Sequence, residues 1–150
     1  MVRWRRLPVL IAGLAATGCG DHRGPVASTC TTGGEPILAA LRRAPGHPSL
    51  PDGTKLSDCV SRAISDTQLQ NVGSSFIAAA DSLARRAAAD SGAAYRLGFL
   101  AGAAERGASQ TEGIARELVD RIDRFAGDGD LPAPSRAAFA QGRVAGRRRG

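Results

Sequence analysis

Ala94, Gly98 and Gly102 stand four residues apart inside an apolar segment, Ala93-Ala94-Tyr95-Arg96-Leu97-Gly98-Phe99-Leu100-Ala101-Gly102-Ala103-Ala104. At 3.6 residues per turn this spacing lines small side chains along one side of a helix, which lets a second helix backbone come close. Leu97, Leu100, Ala101 and Ala104 form one apolar face, and Tyr95, Phe99 and Ala103 form another. Little of such a helix is left for water. Arg96, Glu105 and Arg106 fall within the run, which is too short and too charged to span a bilayer. The segment predicts the central, nearly surrounded helix of a bundle over 93–107.

The rest of the chain agrees with that frame. Aromatic residues are 4% of the 150, and β-branched residues are few, which disfavours strands and favours helices packed through small side chains. Ile37, Leu38 and Leu41 share one face of a first helix over 35–44, with Pro36 suited to an early helical position. Leu56, Cys59, Val60, Ala63 and Ile64 recur at three- and four-residue steps over 55–65. A longer stripe, Leu69, Val72, Phe76, Ala80, Leu83 and Ala87, occupies 66–89, and Gly73 is a candidate break in it. Ser109 and Glu112 have capping-box spacing ahead of a helix. On that helix Ile114, Ala115, Leu118, Ile122 and Phe125 face inward, and Glu117–Arg121 and Asp120–Arg124 are i,i+4 ion pairs. Ser135 is a candidate cap for a weak final helix. The fold class expected is all-α, a small bundle of four to six short, alanine-rich helices.

The N-terminus carries a different message. Met1 to Arg6 has three basic residues and no acid, an apolar run of about eleven residues follows, and small residues precede Cys19. That is the layout of an export signal. Ala16-Thr17-Gly18-Cys19 resembles the lipobox of bacterial lipoprotein precursors, with Ala16 where that family most often carries Leu. The resemblance covers residues 1–19. It implies cleavage before Cys19 and acylation of that residue, and so a lipid anchor on the extracytoplasmic side of a cell membrane. The same residues also read as an Ala-x-Gly cleavage site, which gives a freely secreted protein.

With Cys19 set aside for lipid, Cys30 and Cys59 remain as a pair in an oxidising compartment, where a disulfide is expected. Closing the loop between them stabilises a fold by roughly 3.6 kcal/mol on the chain-entropy model. The formal charge of +6 divides unevenly. Cys19 to Leu131 holds 12 basic residues against 14 acidic, whereas Arg136, Arg143, Arg147, Arg148 and Arg149 follow Pro132 with no acid. The excess base reads as a tail rather than as a basic domain.

The domain organisation expected is therefore a signal peptide over 1–18, a flexible tether over 19–34, a helical domain over 35–126 and a flexible basic tail over 127–150. No Gly-rich phosphate loop, Gly-x-Ser-x-Gly elbow or His-Glu-x-x-His occurs, and the two histidines, His22 and His47, lie in Pro/Gly-rich stretches. Asp58, Asp66, Asp81, Glu105 and Glu112 are carboxylates with no pattern that pairs them. No catalytic residue, metal site or cofactor is expected. The partners expected are a membrane, through a lipid on Cys19, and an unidentified envelope protein, with no nucleic acid. The alternative is a secreted helical module whose Arg143, Arg147, Arg148 and Arg149 contact anionic polymers or lipid headgroups.

Overall fold

A computed structural model describes residues 24–111, 115–127 and 131–150. The signal segment and Cys19 lie outside these residues. Among the described residues the chain forms six α-helices and no named strand: α1 (Gly34–Leu41), α2 (Leu56–Ser61), α3 (Asp66–Ala87), α4 (Ser91–Ala108), α5 (Arg116–Ala126) and α6 (Ala133–Arg149). A 3-10 turn over Ser28–Cys30 precedes them. The all-α bundle expected from composition and periodicity is the fold, and the Cys30–Cys59 disulfide is present.

Local chemistry sets the helix boundaries. Ser65 caps α3 by accepting from the Gln68 N–H, while Asp66 in the first turn and Arg85 and Arg86 in the last complement the helix dipole. α3 continues through Gly73, because Val72, Ser75 and Phe76 on either side are buried and their packing outweighs the glycine cost of about 1 kcal/mol. Asp90 caps α4 through the Gly92 N–H. Ser109 does not cap α5. It stands at the end of α4 and donates to the Arg106 carbonyl, and α5 begins at Arg116 without a side-chain cap. α2 stops at Ser61, before its stripe is complete, and leaves Ile64 78% exposed.

α4 is the axis of the bundle and packs against α2, α3, α5 and α6. Its residues Ala93, Ala94 and 97–104 are buried without a gap. Around it the core is filled by Phe76 and Leu83 of α3, Ile37 and Leu41 of α1, Leu56 and Val60 of α2, and Ile122 of α5. The disulfide ties the 3-10 turn to α2 inside this core, since both cysteines are fully buried.

The expected basic tail over 127–150 requires correction. Residues 133–149 form α6, which lies directly on α4, and the two backbones approach too closely for any side chain between them. A Cβ built on Gly98 would sit 2.0 Å from the Phe139 carbonyl oxygen, and one on Gly102 2.1 Å from that of Arg143. From the other side, a Cβ on Gly142 would sit 1.9 Å from the Tyr95 oxygen and one on Gly146 2.1 Å from the Phe99 oxygen. Pairing 95 with 142, 99 with 146 and 103 with 150 makes the helices parallel. The expected tether is shortened as well. Within 24–34, Cys30 is buried, Val26 and Ala27 pack on the core, and Gly33, at φ +96°, donates its N–H to Ser75 Oγ.

Gly142→Ala is expected to destabilise the fold by about 3 kcal/mol or more, because the new methyl meets rigid backbone. Gly73→Ala meets only Leu118 Cδ1, at 3.7 Å, and is expected to stabilise by about 0.5–1 kcal/mol. Urea unfolding of both variants against the parent checks the contrast.

Candidate functional site

Three surface features bring chemically active side chains together. The first is an open groove of about 910 Å³ between α3 and α5. Leu69, Ile77, Leu118 and Phe125 give it an apolar floor, and Asp66, Asp81, Glu117 and Arg121 stand among its lining residues. Glu117 pairs with Arg121 at 2.9 Å, as its spacing predicts. Arg124 also turns to Glu117, at 3.5 Å, and not to Asp120. No histidine or cysteine stands among the described lining residues.

The second feature joins α4, α5 and α6 through charge. Arg143 donates from Nε to Glu105 Oε1 at 2.6 Å, from Nη2 to the same oxygen, and from Nη2 to Asp123 Oδ2 at 2.9 Å. Arg147 reaches Glu105 Oε2 at 3.2 Å. The Glu105 side chain is only 17% exposed. Recesses of about 330 and 450 Å³ flank the cluster. Burial raises the Asp123 carboxyl above its usual value, an effect that outweighs the opposing pull of Arg143. Burial alone would lower Arg143, but its hydrogen bonds to Glu105 and the charge of Asp123 prevail and hold it above its usual value. The guanidinium is therefore permanently charged and fills the space between the two carboxylates. This is an ion bridge that fixes α6 to α4 and α5, because removing either kind of partner would leave a half-buried charge unpaired.

The third feature is the end of the bundle where α4 and α6 finish. Arg106 donates to the Arg147 and Arg148 carbonyls at 3.3 and 2.6 Å, which satisfies acceptors that the end of α6 leaves open. Ser57 Oγ donates to the Gly150 carbonyl at 2.6 Å, and Arg149 to the Pro45 carbonyl at 2.8 Å. Arg43 donates to the Ser49 carbonyl in the same loop. That loop is pinned to the start of the domain by Asp52. The Thr54 N–H and the Thr29 hydroxyl both donate to the Asp52 carboxyl and hold it below its usual value.

The residues singled out in the sequence separate accordingly. Cys30 and Cys59 are joined, with Cα atoms 5.6 Å apart. Arg143 and Arg147 are held in ion pairs, whereas Arg148 and Arg149 stay exposed at the end of α6. Of the carboxylates named from sequence, Glu112 lies outside the described residues, and among the other four Glu105 is the one that joins this cluster; its companion Asp123 carries no local signal of that role. Among the described residues no three His, Cys, Asp or Glu side chains converge as a metal site, and no helix is long and apolar enough to cross a membrane. No protein-family profile, curated protein or solved structure matches the chain.

The two aspartates are expected to titrate on opposite sides of the ordinary carboxylate value, which carbon-detected NMR would resolve. Asp52, whose ionised form is favoured by folding, contributes stability above its unfolded value and loses it as pH falls through the lowered one. Asp123, whose protonated form is favoured, opposes stability as pH rises from the ordinary value through the raised one. Coincident midpoints would contradict the burial assigned to Asp123.

Proposed function

We propose that this chain is an exported cell-envelope protein, anchored by lipid at Cys19, whose helical domain serves a structural or interaction role. The observation that carries the reading is the use of the cysteines. Cys30 and Cys59 are joined to each other, so neither is needed by Cys19, which directly follows Ala16-Thr17-Gly18 in the sequence. A buried disulfide suits an oxidising compartment, and the basic, then apolar, then small-residue start of the chain suits export to one. An interaction role would use the α3–α5 groove, a concavity whose floor is apolar and whose rim is charged.

Incorporation of labelled palmitate in a bacterial host tests the anchor. The parent chain is expected to take up label, and Cys19→Ala is expected to take up none. Equal labelling of both, or of neither, contradicts the lipoprotein reading; absence of label from a protein found in the medium marks it as secreted.

A further inference from the structure

Four exposed basic residues that are dispersed in sequence meet at one end of the bundle. Arg43 donates to the Ser49 carbonyl, and Ser49 forms an isolated β-bridge with Lys55. Two residues on, Ser57 holds the Gly150 carbonyl, next to Arg148 and Arg149, and Arg149 closes the circuit on the Pro45 carbonyl. Arg43, Lys55, Arg148 and Arg149 are all exposed, and among the described residues none has a carboxylate within ion-pair distance. Two acids of this end are paired with other cations and one, Asp52, keeps its charge, so the four basic residues are in excess. Glu105 is held by Arg143 and Arg147, Asp58 faces Arg62 at 3.5 Å, and Asp52 accepts from Thr29 and Thr54.

The chain enters the domain at this same end. Gly24 lies against the Arg62 guanidinium, and Thr29 bonds to Asp52 at 2.8 Å in the loop that Arg149 also touches. Gly24 is five residue steps from Cys19, so even a fully extended chain between them reaches no more than about 18 Å. An acyl chain on Cys19 would therefore bring the basic end, and not the far end of α4 about 27 Å away, towards the lipid. We propose that the end bearing Arg43, Lys55, Arg148 and Arg149 rests on the anionic headgroups of the membrane, so that the anchored domain has a fixed orientation. The proposal rests on the export-and-anchor reading for its biological setting, but the attraction itself does not require the acyl chain. Each basic residue at an anionic surface strengthens binding by up to about fivefold, and salt weakens the effect. Arg148 and Arg149 also complement the dipole of α6, a structural role that would not depend on the lipid.

Vesicle flotation of the full chain carrying Cys19→Ala separates these possibilities, using phosphatidylcholine vesicles with and without about a third phosphatidylglycerol. The signal segment is common to all chains compared, so its contribution cancels. Adding Arg43→Ser, Arg148→Ser and Arg149→Ser is expected to weaken binding to anionic vesicles at least tenfold and to leave binding to neutral ones unchanged. The same number of charges removed at the opposite end, by Arg85→Ser, Arg86→Ser and Arg136→Ser, is expected to change either by less than about twofold. Lysine at 43, 148 and 149 is expected to restore binding, since a headgroup surface reads charge rather than guanidinium shape. Equal effects of the two triple-serine sets, an equal loss on neutral vesicles, or failure of lysine to restore binding would each overturn the proposal. None of these outcomes depends on whether palmitate labels Cys19, so the orientation and the anchor fail separately.

Discussion

The contact between the backbones of α4 and α6 is what the rest of the bundle depends on. With aromatic residues at 4% of the chain, there are few large side chains to fill the space between helices. Gly98 and Gly102 on one helix, and Gly142 and Gly146 on the other, remove that space instead by letting each backbone enter the groove of its neighbour. Carbonyl oxygens of Tyr95 and Phe99 then lie against glycine Cα atoms, where dispersion and weak C–H···O contacts act along the whole interface. Because α6 occupies one side of α4, the remaining sides are closed by α2, α3 and α5, and alanine suffices at many core positions.

Two charged features follow from that contact. The register that places Gly142 on Tyr95 also brings Arg143 to Glu105, and α5 supplies Asp123 to the same guanidinium. Further along, it delivers Arg148 and Arg149 to the end of the bundle where the 42–55 loop and the first described residues converge. A helix displaced by one turn would unpair Glu105 and disperse the basic end. The proposed orientation on a membrane is thus a consequence of how α6 is seated.

Much of the architecture was legible in the sequence, and the misreadings have a common physical cause. Periodic apolar stripes located α1 through α4 closely, since each helix buries a face of leucine, isoleucine, phenylalanine or alanine. The Ala94-Gly98-Gly102 ladder was visible, but its counterpart, Ala138-Gly142-Gly146, lies in a segment whose large apolar residues are few and whose arginines suggest a solvated tail. Glycine reads as a breaker unless a partner backbone is known to occupy the space it leaves. Arg143 is neutralised by residues 38 and 20 positions away, beyond the reach of local pattern. Ser109 has the composition of an N-cap yet serves the preceding helix, because a hydroxyl can accept at one helix end or donate at another. Pairing Cys30 with Cys59 needed only the removal of Cys19 from the count, and Cys19 itself lies outside the described residues.

Hydrogen exchange followed by mass spectrometry or NMR tests most directly whether α6 is a docked helix. The account predicts that amides over 139–146 are protected to a degree comparable with those over 97–104, since the two segments bury one another and open together. Exchange of 139–146 at the rate of an unstructured chain, with 97–104 still protected, would contradict it.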